Sequence, residues 1–324
     1  MRPFLLLSLL ALPALGFAQG ALAPTHAPAP VMRTLDQLDT RTPVGQFGGS
    51  TATITLSGPG SYVLLGNVTV SEGYAITILG NDITLDLNGF TLSSTANPAA
   101  GTAIAFATGA ANITIRNGHI HGGVTQNAGT FSTGPGFISG ISGQLLSCVS
   151  VDHVSVSGVT QDGISLNAAA HSQTSVRDCS VAICGRYGIV ATRATDCLVK
   201  WCDSVALQAT VATRCRSDAL STGAGISATL ATGCDSNSNS GPGLKSTVAV
   251  DCVASSSSGL GIDTVMAVQC RAISLAASQA LFATGGASLC RASRTGGVAI
   301  GGRQAFGCTA ENGTIATTFI ELCH

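Results

Sequence analysis

Apolar and small residues recur in the second half of the chain with a period of 18 to 20 residues. Cysteines mark the period, at successive spacings of 18, 18, 19, 18, 18, 20 and 18 residues. From Cys197 onward, a large apolar residue stands eight positions before each cysteine, and small residues stand six and three positions before it; before Cys290 these are Phe282, Thr284 and Ala287. A fixed period of this length predicts a stack of repeated structural units. The eight cysteines, hereafter the cysteine column, are Cys179, Cys197, Cys215, Cys234, Cys252, Cys270, Cys290 and Cys308.

The pattern within one unit predicts strands and no helix. Within one unit, inward-facing and outward-facing residues alternate along the chain. The alternation shifts by one residue between six and three positions before the cysteine, which is typical of two short strands joined by a bend. No segment has the 3.6-residue apolar stripe of a crossover helix. Left-handed hexapeptide coils and leucine-rich repeats have similar periods, but their aliphatic and Leu-x-Leu frameworks are absent. The sequence therefore predicts an all-β fold, a single-stranded right-handed parallel β-helix over residues 50–324.

The first half follows the same alternation with larger side chains, as in Ile83-x-Leu85-x-Leu87 and Ile113-x-Ile115. Bulky residues early and alanines late predict that the cross-section narrows toward the C-terminus. Between Gly118 and Ser147 the register is lost in a Gly- and Thr-rich stretch, which predicts a loop that leaves the β-helix.

The N-terminal residues predict export. Residues 1–18 combine Arg2, an apolar run too short to span a bilayer, and small residues before a cleavage site near Ala18. Residues 19–33 are rich in Ala and Pro and predict a flexible segment, and residues 34–49 a cap on the β-helix. With no other long apolar run, we expect a soluble protein that is secreted, periplasmic or on the cell surface.

Charge narrows the class of partner. The chain has 15 Lys plus Arg against 16 Asp plus Glu, and a formal net charge of −1. Nucleic-acid binding depends on concentrated positive charge, so this balance argues against it.

Several motifs resemble exported bacterial β-helix repeat proteins of the pectin-lyase-like superfamily. They are Arg41-Thr42-Pro43, the segment 60–64 (Gly-Ser-Tyr-Val-Leu), the segment 82–92 and Ile115-Arg-Asn-Gly118. The resemblance spans residues 41–324 and implies the fold. It does not imply one activity, because the superfamily includes lyases, hydrolases, epimerases, tailspikes and members without an assigned reaction.

The resemblance supplies one element of a candidate catalytic site, and the repeat supplies the others. Gln161-Asp162-Gly163 is similar to an aspartate motif of the pectinase-type hydrolases, but their Gly-His-Gly and Arg-x-Lys motifs are missing. The residue before each cysteine points outward, so Asp178, Asp196 and Arg214 should form a column with about 4.8 Å between turns. Two carboxylates and a cation at that spacing suit glycoside chemistry. The competing interpretation is a solvated ladder in which Arg214 neutralises Asp196.

Metal and cofactor chemistry has weaker signals. His119 and His121 share one face of a strand but lack a third ligand, and His153 and His171 are interpreted as edge residues. No cofactor or metal is predicted, and calcium enters only if the protein is a lyase.

The cysteines have three interpretations: metal ligands, disulfides and buried thiols. Their regular inward position favours a ladder of small hydrophobic thiols, with Cys184 and Cys202 as the pair most suited to a disulfide.

The sequence supports two functions. The favoured one is a non-catalytic exported rod that serves as a structural or glycan-binding element of the cell envelope. The alternative is a polysaccharide lyase or glycoside hydrolase that uses Asp178, Asp196 and Arg214, with Asp162.

Overall fold

Thirty strands and no helix lie in the residues that the structure describes. The structure is a computed structural model that describes residues 40–127, 129–132, 134–220, 222–275, 279–294 and 297–321. The predicted signal peptide, the Ala/Pro-rich segment, residues 34–39 and Cys323 lie outside these ranges.

The strands of the first half vary in length and include two long ones that bend through more than one face. Their bounds are β1 Thr42–Val44, β2 Ile54–Leu56, β3 Gly60–Leu64, β4 Val68–Val70, β5 Ile76–Ile78, β6 Ile83–Asp86, β7 Thr91–Ser94, β8 Thr102–Phe106, β9 Ala111–His121, β10 Thr125–Asn127, β11 Thr130–Ser132, β12 Ser139–Val159, β13 Ile164–Ala168, β14 Thr174–Arg177 and β15 Ser180–Cys184.

The strands of the second half alternate between long and short. Their bounds are β16 Ile189–Thr195, β17 Leu198–Cys202, β18 Leu207–Thr213, β19 Arg216–Ala219, β20 Ile226–Thr232, β21 Asp235–Ser238, β22 Leu244–Val250, β23 Val253–Ser256, β24 Ile262–Val268, β25 Arg271–Ser274, β26 Leu281–Ser288, β27 Arg291–Arg294, β28 Val298–Phe306, β29 Thr309–Glu311 and β30 Thr314–Glu321.

Apart from β10 and β11, the strands pair in parallel with the equivalent strand one turn later, so the chain winds as a β-solenoid of about 14 turns. This confirms the predicted fold class, an all-β, single-stranded parallel β-helix. In a regular turn the long strand forms the first face and, after a bend, the second face, and the short strand forms the third. Strand β1 already pairs with β3, so part of the predicted cap region adds a strand to the second face.

The corner between the second and third faces consists of a single residue with positive φ. The left-handed conformation turns the chain within one residue and is tolerated best by Gly, Asn and Asp. Aspartate or glycine occupies five of the eight corners in the cysteine-bearing turns. The eight corner residues are Asp178, Asp196, Arg214, Gly233, Asp251, Gln269, Leu289 and Gly307.

The core is made of columns of side chains that stack along the solenoid. The first-face column stays large throughout, for example Ile164, Ile189 and Leu207 in adjacent turns. One column of the second face shrinks steadily, as the sequence predicts. In register from the N-terminus it contains Tyr62, Leu85, Ile115, Val151, Val176, Ala194, Ala212, Ala231, Ala249, Ala267, Ala287 and Ala305.

Two predictions about register were wrong. Before Cys290 the inward residues are Leu281 and Ala283, both buried, instead of Phe282 and Thr284, because β26 takes up one extra residue of the longer turn in a bulge opposite Thr264 and Met266. The predicted excursion at 118–147 is also shorter. Residues 118–121 continue β9, Phe137 is buried in the core and 139–147 belong to β12, so the excursion lies between His121 and Phe137, where the antiparallel β10–β11 pair is found.

The eight cysteines of the column are buried at the equivalent position of successive turns. The amide of Leu198 donates to the carbonyl of Cys179, and that of Arg216 to the carbonyl of Cys197. Burial raises the pKa of the Cys179 thiol to about 12.

The disulfide expected between Cys184 and Cys202 is not formed, since both are free thiols. They are paired in register on parallel strands, so their Cβ bonds point the same way. A disulfide needs a Cβ–S–S–Cβ torsion near 90°, which that arrangement does not favour.

Candidate functional site

Asp196 and Arg214 lie on adjacent corners, exposed to solvent, as the repeat predicts. The Arg214 guanidinium donates from Nε to Asp196 Oδ1 and from Nη2 to Asp196 Oδ2, both at 2.7 Å. The hydrogen bonds from Arg214 hold the pKa of Asp196 below its usual range. The geometry is therefore that of a closed, bidentate ion pair, which is the solvated-ladder interpretation of this column.

Asp178 also has basic neighbours. Its Oδ2 atom lies 3.7 Å from His153 Nε2 and 3.8 Å from Arg177 Nε. His153 is itself a left-handed corner residue, one turn before Asp178. In register the corner column runs His153, Asp178, Asp196 and Arg214, so each of the two adjacent aspartates has a basic side chain on its other side.

Asp162 lies at another edge of the solenoid, in the connection from the third face to the first. Its carboxylate is buried and accepts a hydrogen bond from Arg186 Nε at 2.7 Å and one from the Tyr187 amide at 3.3 Å. The hydrogen bonds to Asp162 raise the pKa of Arg186, whose guanidinium also lies 5.2 Å from the centre of the Tyr187 ring. The structure therefore does not bring Asp162 together with Asp178, Asp196 and Arg214. Asp162 fixes the path of the next connection.

The predicted histidines do not assemble a metal site in the described part of the chain. His119 and His121 share the third face, and His121 Nδ1 lies 3.1 Å from Ser157 Oγ. His171 is a left-handed residue in the connection between β13 and β14. Within the described ranges, no group of three or more His, Cys, Asp and Glu side chains is placed to hold a metal ion.

A charged column on the second face was missed from the sequence. Asp86, Arg116, Asp152 and Arg177 follow one another in register on successive turns. Buried Asp86 accepts from Arg116 Nε at 3.2 Å and from Arg41 Nη1 at 2.9 Å. Arg177 Nε lies 3.3 Å from Asp152 Oδ1. The alternation of acid and base is visible in the sequence only after the turns are aligned.

Beside this column lies a polar hollow. Two adjoining depressions of about 350 and 330 Å³ share Ser150, Ser175 and Arg193, and the first of them also reaches Asp152 and Arg177. Ser150 pairs in register with Ser175, and Ser175 with Arg193, so the three side chains form one outward column. Arg193 is exposed. Among the described residues it has neither an ion pair nor a side-chain hydrogen bond. We call Ser150, Asp152, Ser175, Arg177 and Arg193 the polar hollow.

The other arginines of the region have the carboxylate partner that Arg193 lacks among the described residues. Arg41, Arg116, Arg177, Arg186 and Arg214 are all bound to carboxylates. Its five N–H donors are therefore available to a bound molecule, next to two serine hydroxyls.

Comparison with known proteins adds little beyond the fold. No protein-family model matches the chain, and no curated protein matches it. Among solved structures, the chain is similar to the A-module of the mannuronan C-5 epimerase AlgE4 from Azotobacter vinelandii. The identity is 12%, the match covers 84% of this chain and 88% of that one, and the TM-score is 0.45. A likeness of this degree does not assign an activity.

Membrane insertion through a helix finds no support in the described residues, where no helix has the length and apolarity to cross a bilayer.

Proposed function

We propose that the chain is an exported, non-catalytic β-helix that binds a glycan of the cell envelope at the polar hollow. The observation that carries this proposal is Arg193, a guanidinium without a carboxylate partner among the described residues, in a column with Ser150 and Ser175. A planar guanidinium offers paired donors, and hydroxyl groups both donate and accept. This combination suits the hydroxyl and carboxylate oxygens of a sugar.

The shape of the surface supports an extended ligand. Strands of adjacent turns lie about 4.8 Å apart, so equivalent side chains repeat at that interval along the solenoid. The hollow spans β12, β14 and β16 without an intervening loop. A glycan chain running along the solenoid would meet hydroxyl and charged groups on successive turns.

The pairing of the candidate carboxylates supports binding over catalysis. A general acid or base works best with a pKa near the working pH and within reach of the substrate. The hydrogen bonds from Arg214 lower the pKa of Asp196, away from that range. The buried carboxylate of Asp162 already accepts a hydrogen bond from Arg186. The lyase or hydrolase alternative, with calcium in the lyase case, requires these ion pairs to open when substrate binds.

Glycan retention by the purified protein tests the proposal. We would measure its mobility in gels containing acidic or neutral polysaccharides, with and without calcium, and assay the same panel for release of products. Arg193→Ala should weaken retention by about tenfold or more, as expected for loss of a charged hydrogen bond. Arg303→Ala removes the same charge from an exposed position on β28 and should leave retention unchanged.

Two outcomes would overturn this function. Retention that is the same in Arg193→Ala and the wild-type protein would remove the polar hollow as the binding site. Turnover of any polysaccharide that Asp196→Asn abolishes, with the fold intact by circular dichroism, would establish the enzymatic alternative.

A further inference from the structure

Two adjacent turns of the solenoid place a bulky side chain where the backbone is left-handed. Ile183 and Trp201 have φ angles of 56° and 55°, and they stand at the same position of β15 and β17. The turn before them has Gly158 at this position, with a φ of 72°. Glycine adopts this conformation freely, whereas a β-branched or bulky residue is strained in it. Both turns therefore carry backbone strain that a glycine would avoid.

The left-handed residue of β17 is an insertion that the fold does not require. Lys200 pairs with Asp218 and Cys202 with Ala219, so Trp201 has no counterpart in the next turn. The later turns pass this point with one residue fewer and without a break in register. Trp201 is therefore the extra residue of a β-bulge, a device that redirects a side chain.

The bulge turns the Trp201 side chain toward solvent. Val199 is buried and Lys200 is exposed, so strict alternation along the strand would bury the next residue. Trp201 is instead 41% exposed, and Cys202 is buried in its place. Among the described residues no arginine or lysine stacks on the Trp201 ring. A strained backbone thus holds the only tryptophan of the chain open to solvent.

A polar depression of about 250 Å³ lies on the third face and is lined by Lys200, the residue before Trp201. Its other charged lining residues are Arg216, Asp218 and Asp235, so positive and negative groups balance. Arg216 Nη2 lies 3.2 Å from Asp235 Oδ2, whereas Lys200 has no ion pair in the described part of the chain. The balance of charge favours a neutral ligand over an anion or a cation.

The hydrogen-bonding groups of the depression are held in place by their neighbours. Ser255 Oγ donates to Asn237 Oδ1 at 2.9 Å, and Asn237 Nδ2 donates to Asp218 Oδ1 at 3.3 Å. An ionised carboxylate accepts several hydrogen bonds, so Asp218 can also accept one from a ligand hydroxyl, and the Lys200 ammonium group can donate. Donors and acceptors are therefore presented together on adjacent turns.

We infer that Trp201 and this depression form a binding site for a neutral sugar. A pyranose ring has C–H groups on its faces and hydroxyl groups around its edge. The C–H groups pack on the indole of Trp201 and leave water, and the hydroxyl groups reach Lys200, Asp218 and Asn237. The depression is smaller than the pockets of about 300 to 1,000 Å³ that hold drug-sized ligands, so it suits a single ring.

The site goes beyond the proposed function because it shares no residue with the polar hollow. The polar hollow lies on the second face and contains an arginine without a carboxylate partner among the described residues, whereas the depression lies on the third face and its charges balance. The two sites therefore differ in the charge of the glycan that they favour, and either can fail without the other.

The fluorescence of Trp201 tests the site directly, since the protein has no other tryptophan. We would titrate the wild-type protein with neutral cello-, malto- and N-acetylchito-oligosaccharides, and with oligogalacturonate for comparison. At least one neutral oligosaccharide should shift the emission to shorter wavelength with saturation, because stacking removes water from the indole. No response to the neutral oligosaccharides, or an equal or stronger response to oligogalacturonate, would overturn the inference.

Variants of the two parts of the site separate stacking from hydrogen bonding. Trp201→Gly places at this position the residue that the turn of Gly158 has, and should keep the native circular dichroism spectrum. By titration calorimetry its dissociation constant for the neutral oligosaccharide should rise by about tenfold or more, the scale of an aromatic anchor. Trp201→Phe keeps an aromatic ring and should lie between Trp201→Gly and the wild-type protein. Asp218→Ala retains the fluorophore and should weaken binding by about tenfold, as expected for loss of a charged hydrogen bond.

Arg193→Ala is the control that distinguishes this site from the polar hollow. It should leave the fluorescence titration with the neutral oligosaccharide unchanged, whatever its effect on retention in the gels. Loss of the fluorescence response in Arg193→Ala would mean that the polar hollow binds the neutral sugar too. Wild-type affinity in Trp201→Gly would mean that the indole does not contact the sugar. Either result would refute a separate site at Trp201.

Discussion

The two halves of the solenoid have the same turn but fill it differently. In the N-terminal half, the shrinking column of the second face contains Leu85, Ile115 and Val151, whereas from Ala194 to Ala305 every residue in it is alanine. The first-face column remains large in both halves. The outer surface of the second face changes too, from charged and hydroxyl side chains to uncharged ones that include Leu230, Val250 and Met266.

The small core depends more on the backbone than on side-chain volume. Ser238, Ser256 and Ser274 are buried, and each hydroxyl donates to a glycine carbonyl at 2.7 to 2.9 Å. A Cβ atom at Gly243 would lie 2.4 Å from the Ser255 carbonyl oxygen, so only glycine permits this close approach of two faces. The contrast shows that parallel hydrogen bonding keeps the fold constant while the core changes from aliphatic side chains to thiols, methyl groups and hydroxyls.

Removing side-chain volume from the core should therefore lower the free energy of unfolding more in the N-terminal half than in the C-terminal half. Leu85→Ala deletes a fully buried side chain among other large ones, and we expect a loss of about 2 to 5 kcal/mol in the free energy of unfolding. Cys252→Ala removes only a sulfur atom from a narrow turn and should cost about 1 kcal/mol. Urea denaturation followed by circular dichroism measures both.

Ile226→Ala serves as the control for this comparison. It deletes a large side chain of the first-face column in the C-terminal half, where that column has not changed, so its cost should approach that of Leu85→Ala. Equal losses for Leu85→Ala and Cys252→Ala would show that the two cores do not differ in the way proposed.

Most of the fold could be predicted from the sequence because the period is nearly constant. From Cys197 to Cys270, the residues at eight, six and three positions before each cysteine are inward, with few exceptions, as counted from the repeat. The prediction was wrong before Cys290, where Leu281 points inward instead of Phe282. A repeat shows that a turn has extra residues but not where the strand accommodates them.

The candidate site was less predictable, because only some of its residues follow the regular period. Asp196 and Arg214 were found because they are one regular period apart. The column of Asp86, Arg116 and Asp152 crosses turns of unequal length, including the excursion between His121 and Phe137, so its members show no fixed spacing. Arg193 gives no signal of its own in the sequence, since its importance comes from the serines that two other turns place beside it.

Adding side-chain volume to the C-terminal core tests the same difference between the two cores. Cys252→Phe introduces a large ring beside Ala249 and Ala254, where buried alanines show that little space exists. Overpacking of this kind should lower the free energy of unfolding by about 1 to 3 kcal/mol. Cys252→Val, which keeps a small apolar side chain, is the matched control in the same urea titration. A phenylalanine variant as stable as the valine variant would mean that the C-terminal core is not tightly filled.

Alkaline pH should weaken the half that contains thiols, and Cys179 gives the cleanest measure. Its pKa is raised by burial from 9.0 to about 12, so the folded state retains its proton where the unfolded state has lost it. The resulting stabilisation is complete below pH 9 and is lost as the pH rises from 9 toward 12. Between pH 7 and pH 10 this one group should lower the free energy of unfolding by about 1.4 kcal/mol.

The preceding turn supplies the reference for that measurement, because Val154 stands where the next turn has Cys179. Cys179→Val therefore extends the aliphatic core by one turn and removes one titrating thiol. Urea titrations at pH 7 and pH 10 should show a smaller pH-dependent loss in this variant than in the wild-type protein, by about 1.4 kcal/mol. An identical loss in both proteins would mean that the Cys179 thiol ionises as readily in the fold as in the unfolded chain, and that burial does not protect it.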